Sequence, residues 1–197
     1  MPPPKMNVPA ESFRPTLMGG SYAVSCGHYL AALAAARVLD RGGNAVDAGV
    51  TASMALAVLQ PDIVSFAGVA PTLVYTASDR KVTGLAGLGH WPAATDVERL
   101  RREGGESIPE GILRTVVPAA PATHIEALRR FGTISFAEAA RPAAELALRG
   151  FGLYGRLAAG IAADAANFAR WPSNAAVFLP GGRPPRRGEI FRQEDLG

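Results

Sequence analysis

The sequence is short of the residues from which most self-contained catalytic and metal sites are built. It holds one cysteine, Cys26, which excludes an intrachain disulfide. Cys26 sits in the apolar stretch Ala23-Val24-Ser25-Cys26, where a buried thiol is expected. The three histidines, His28, His90 and His124, lie far apart, and no cluster of Cys, His and carboxylates has metal-ligand spacing. Neither a metal nor an organic cofactor is expected. Aromatic residues make up 7% of the chain and do not interleave with the basic clusters Arg99-Arg101-Arg102 and Arg183-Arg186-Arg187-Arg192. A nucleic-acid footprint needs such interleaving, so the net charge of +3 reads as solvated faces. No apolar run is long enough to span a bilayer; Ala48 to Leu59 comes nearest. Met1-Pro2-Pro3-Pro4-Lys5 lacks the apolar core of a secretory signal, so a cytoplasmic protein is expected, or an exported one had a leader been removed.

What is present suits a core. Of 197 residues, 48% are hydrophobic and 19% charged, enough for one domain or a large piece of one. Alanine supplies much of the apolar share, which favours close helix packing. Residues 1–20, proline-rich and ending in Gly19-Gly20, read as an irregular lead-in to a domain portion at 21–197. Ser21 to Ser25 is a candidate short strand. From His28 to Leu39, Leu30, Leu33, Ala34 and Val38 recur at helical spacing, and Arg41-Gly42-Gly43 stops the helix. Asn44 is a good N-cap with Asp47 in the capping-box place. The helix it opens, Ala45 to Leu59, is apolar on nearly every face and is expected to be buried. Thr72 to Tyr75 and Lys81 to Leu85 predict a hairpin turning at Ser78-Asp79. Helices are predicted at Val97 to Arg102, Ala122 to Arg130, Phe136 to Arg149 and Leu157 to Ala169, and a loop from Pro180 to Arg187. The pattern alone indicates α+β layers.

Locally, no segment assembles a catalytic site. Gly150 to Gly155 imitates a glycine-rich phosphate loop without a preceding predicted strand. Glu138 and Glu145 lie seven apart on one helix as a solvated stripe, and Ser25, Cys26 and His28 suit capping and packing better than nucleophilic catalysis.

The discriminating segment is Arg41-Gly-Gly-Asn-Ala-Val-Asp-Ala48. It resembles the signature near the start of gamma-glutamyltransferases. Further matches follow in order: His28 before it, then Gln60-Pro61, Leu73-Val74-Tyr75, Pro92-Ala93-Ala94, Val117-Pro118 and Phe131-Gly132-Thr133. Pro142 to Ala147, Gly188-Glu189 and Arg192 to Leu196 complete the series. The resemblance implies a four-layer αββα N-terminal-nucleophile hydrolase fold, of which this chain contributes part of the large subunit. It also implies a partner: a small subunit from the same proenzyme, beginning with the threonine nucleophile, acting on a small-molecule amide. No catalytic residue is then expected in this chain.

Two departures from the family pattern bear on substrate. Aligned through Pro92, the position of the family's carboxylate-binding arginine holds Leu88, within Gly87-Leu88-Gly89-His90-Trp91-Pro92. The turn Val64 to Pro71 has lost most of the family's glycines. Leu88, Gly89, His90 and Trp91 are thus the candidate substrate-binding residues, with Leu88 and Trp91 contacting an apolar or aromatic acyl group and His90 donating a hydrogen bond. Alternatively, Leu88, His90 and Trp91 pack under the hairpin. An acylase-like amide hydrolase is the expected function. The alternatives are a genuine gamma-glutamyltransferase with its carboxylate held by another cation, and a non-catalytic scaffold derived from the family.

Overall fold

The computed structural model describes residues 16–197; most of the expected lead-in, residues 1–15, lies outside the described residues. Ser21 to Ser25 forms no strand, because no neighbouring strand offers its backbone a ladder. Helix α1 runs Tyr29–Asp40, and its buried face is made by Ala31, Ala34 and Ala35, while Leu33 points outward. Alanine outcompetes leucine here because the neighbouring helix lies too close for larger side chains. That neighbour is α2, Ala45–Leu59, which meets α1 through Ala48 and Ala52.

As its all-round apolar pattern predicts, α2 is the central element. Val50, Met54, Ala55, Val58 and Leu59 are all buried. The hairpin forms as expected, with β1 at Thr72–Thr76 and β2 at Lys81–Leu85 in antiparallel register, Tyr75 opposite Val82. Helix α3, Val97–Gly104, is exposed and pairs Arg99 with Glu103 and Arg101 with Glu98, so this basic cluster is a solvated face. Helices α4, Ala120–Phe131, and α5, Phe136–Arg149, pack against α2, the latter through Ala139, Ala143 and Ala147.

The chain after α5 differs from expectation. Phe151–Gly152 (β3) and Ile190–Phe191 (β4) pair as a minimal antiparallel ribbon, too short to leave an alternating pattern. The single helix expected over Leu157 to Ala169 is two, α6 at Gly155–Ala163 and α7 at Ala165–Ala169. Asp164 breaks it: its backbone leaves the helical region, and its carbonyl accepts from Asn167 and Phe168 to start the next turn. Helix α8, Pro172–Phe178, lies outside the expected elements and opens on a proline, where the missing N–H costs nothing. Among the described residues no helix is long and apolar enough to cross a membrane.

One buried carboxylate ties the helices together. Asp47 is 0% exposed. It accepts from the Asn44 backbone N–H at 2.9 Å, as the capping box requires. It also accepts from the Thr133 N–H at 2.8 Å, the Thr133 hydroxyl at 2.6 Å and the Ile134 N–H at 3.3 Å. The Asn44 amide donates to the Phe131 carbonyl at 2.6 Å. Gly132 has no side chain because a Cβ there would stand 2.7 Å from Asp47 Oδ1. Burial pushes the Asp47 carboxyl up, but the hydrogen bonds from Thr133, Asn44 and Ile134 outweigh it and hold the group below its ordinary range.

Asp47→Ala, which strands several donors, should destabilise the fold by about 2–4 kcal/mol in urea melts. Because the folded group titrates lower than the unfolded one, its contribution is present above the unfolded value near 3.8 and is lost as pH falls through the folded value. The Ala variant should therefore lose part of the wild-type acid sensitivity.

Candidate active-site cleft

The segment Gly87 to Pro92 leaves β2 and crosses toward the start of α4. Two backbone hydrogen bonds fix it, and two more tie the turn beside it to α4. The Ala70 N–H donates to Gly87 O at 2.8 Å, the Val117 N–H donates to His90 O at 2.8 Å, and Gly68 O accepts from both Ala119 and Ala120 at 3.0 Å. The turn Val64 to Pro71, singled out for its lost glycines, is thus the strut on which both the loop and the α4 N-terminus rest. Gly87 and Gly89 adopt φ +54° and +74°, which residues with a Cβ rarely adopt. A Cβ on Gly87 would run into the Ala70 carbonyl, and one on Gly89 into the Val117 carbonyl.

Leu88 stands between these two glycines and is 58% exposed. It does not pack under the hairpin, and neither does Trp91, which is 43% exposed. Leu88, Gly89 and His90 line an open cleft of about 460 Å³ together with Leu85, Ala119 and Thr123. Trp91 follows the loop but is not in the cleft wall. The other wall is α4, which places Thr123 and Glu126 there. Neither was expected from sequence. Their helix is legible, but no local signal tells which of its faces meets a loop more than thirty residues away.

Of the three histidines only His90 borders the cleft. His28 is the N-cap of α1, its Nδ1 accepting from the Leu30 N–H at 3.2 Å, with its ring stacked on Tyr29 at 4.6 Å. His124 is buried beneath β1 with Nε2 3.3 Å from the Ser53 hydroxyl. Burial lowers the pKa of both. Cys26 is half-buried, and its thiol donates to His28 O at 3.3 Å, a packing role. Glu138 closes a second capping box with Ser135, and with Glu145 it flanks a surface cleft of α5, as the solvated stripe predicts. Among the described residues no group of three His, Cys, Asp or Glu is placed to hold a metal.

Residues 31–197 match the family model of gamma-glutamyltranspeptidase. The chain is 36% identical over 177 residues to an acylase ACY 1 proenzyme of a Pseudomonas strain, covering 85% of this chain and 32% of that protein. It is 30% identical over 191 residues to the glutathione hydrolase proenzyme of Bacillus subtilis, covering 94% and 32%. Among solved structures, Helicobacter pylori gamma-glutamyltranspeptidase superposes with a TM-score of 0.86 at 26% identity, over 92% of this chain and 53% of that one. The chain therefore spans about a third of the length of the curated relatives it matches.

Gly89→Ala should cost about 1–3 kcal/mol, since it combines a disfavoured φ with a backbone collision. Gly105→Ala, at φ +64° but with nothing within 4 Å of its Cβ, should cost no more than about 1 kcal/mol in the same melts. For the buried histidines the unfolded chain takes up protons first as pH falls below about 6.5, so stability declines below that pH. His124→Gln should remove part of that decline, read as the pH dependence of the melting temperature.

Proposed function

The chain belongs to the gamma-glutamyltranspeptidase family and carries part of its N-terminal-nucleophile hydrolase fold, and on that premise we propose that it is the large-subunit portion of an amide hydrolase or acyltransferase that does not select gamma-glutamyl groups. In this reading the nucleophile is a threonine at the start of a partner small subunit cut from the same proenzyme. Its hydroxyl attacks the amide carbonyl, its own α-amino group takes the proton and returns it to the departing amine, and an acyl-enzyme ester forms. Water or a second amine then takes the acyl group. The present chain contributes a wall of the acyl pocket.

The observation that carries the reading is Leu88. It occupies the place where the family resemblance puts a carboxylate-binding arginine, and its side chain is displayed rather than tucked into the fold. A guanidinium offers a carboxylate two parallel charge-assisted bonds. Leucine offers none, and its apolar surface penalises a charge that must shed water. The cleft lining holds no lysine or arginine to take the arginine's place. The relatives' names span both possibilities, one an acylase and one a glutathione hydrolase.

The partner finds support in the hairpin. Leu73, Tyr75 and Val82 are 78%, 62% and 60% exposed, three large apolar side chains on one ribbon whose outer edges carry no neighbouring strand among the described residues. Such an edge and face call for cover by another part of the protein.

The test uses the complete two-subunit protein. Release of p-nitroaniline from gamma-glutamyl-p-nitroanilide should be about 100-fold less efficient in kcat/KM than from an acyl anilide without the α-carboxylate, the equivalent of two charge-assisted hydrogen bonds not made. Leu88→Arg should narrow that gap. Efficient gamma-glutamyl release by the unaltered protein would overturn the reading.

A further inference from the structure

We infer that Glu126 is a specificity-determining residue of the acyl cleft, disfavouring anionic acyl groups relative to uncharged ones of the same size. The inference rests on the amide-hydrolase reading above, but not on Leu88. Loss of an arginine removes an attraction; a carboxylate in the wall adds a repulsion.

The cleft lining is apolar or backbone along the loop side, from Leu85 to Gly89, and Glu126 is the one formally charged side chain in it. Its carboxylate is bound in bidentate fashion by Arg129, with Nε and one terminal nitrogen each at 2.7 Å. Arg130 approaches it at 3.9 Å and lies over the Phe131 ring, 5.0 Å from its centroid. The Arg129 guanidinium holds the Glu126 carboxyl below the usual carboxylate range, so the group is ionised at neutral pH. Neither arginine lines the cleft. Glu126 thus has two effects with one sign. It puts a negative charge in the wall, and it occupies the donors of the nearest guanidinium, which would otherwise be free to receive a carboxylate from the cleft. Because the carboxylate borders the cleft while the guanidinium paired with it does not, an anion in the cleft meets the negative end of the pair.

The experiment compares glutaryl- and glutaramoyl-p-nitroanilide, acyl groups of one size that differ in a carboxylate against a neutral amide, on the complete protein. Glutaramoyl should be favoured in kcat/KM by about tenfold or more, and Glu126→Gln should shrink that ratio by about tenfold. Glu126→Asp, which keeps the charge, should retain the wild-type ratio. High salt should also shrink the wild-type ratio, since screening weakens the repulsion. Equal rates on the two anilides in the unaltered protein, or a ratio that Glu126→Gln does not move, would overturn the role of Glu126 alone. Cleavage of neither anilide, nor of any other acyl anilide, would overturn the amide-hydrolase reading and this inference with it.

Discussion

The buried carboxylate of Asp47 is the constraint on which the arrangement of helices depends. A charge removed from water survives only where donors replace its lost hydration. Here they come from two places far apart in the chain: the N-cap of α2 and the turn joining α4 to α5, 86 residues beyond Asp47. The same four-residue stretch of α2 that caps its own helix therefore dictates where the next helical pair begins. Asn44 adds a second tie across the same gap by donating to the Phe131 carbonyl. Two of the segments that carry the family resemblance, Arg41 to Ala48 and Phe131 to Thr133, prove to be the two sides of this one contact.

From that anchor the alanines take over. With α2 fixed at its N-terminus, α1 and α5 can lie against it only as closely as their side chains permit, and both present alanine: Ala31, Ala34 and Ala35 on one, Ala139, Ala143 and Ala147 on the other. Close approach gives many short contacts from small groups in place of a few large ones. It also leaves little tolerance, because a residue larger by even one methyl group must move a helix whose end is pinned by hydrogen bonds.

How much of this was legible in the sequence depended on range. The Asn44–Asp47 capping box, the all-round apolar α2, the hairpin and its turn, and the bounds of α5 are written in residues adjacent or one turn apart, and they stand where expected. Of the helical series Leu30, Leu33, Ala34 and Val38 in α1, Ala34 is buried but Leu33 faces outward, and Ala31 and Ala35 complete the buried face, because space and not hydrophobicity decides there. The β3–β4 pair consists of two residues on each strand and has no period to detect. At the candidate cleft, the loop Gly87 to Trp91 stood out through its departure from the family pattern, whereas Glu126 did not. A charged residue in an amphipathic helix looks the same whether its neighbour is water or a substrate wall. Asp47 shows the same limit from the other side: its capping role was visible, and its grip on Thr133 was not.

The way the cleft loop is held explains how such a scaffold can change substrate without changing fold. Every interaction that fixes Gly87 to Pro92 is made by backbone: the Ala70 and Val117 amides donate to it, and two glycines supply the positive φ values. None involves the side chain of residue 88, which stands clear of the core. Geometry and specificity are therefore carried by different atoms. A substitution at 88 alters what the wall offers a substrate while costing the loop nothing, whereas a Cβ at 87 or 89 would dislodge the loop whatever stood between them. The opposite wall follows the same rule, since Glu126 is bonded to residues of its own helix and exposed surface, not to the core. On the proposed reading, acyl preference in this chain is set by two side chains that the fold does not need, placed by a backbone frame that it does.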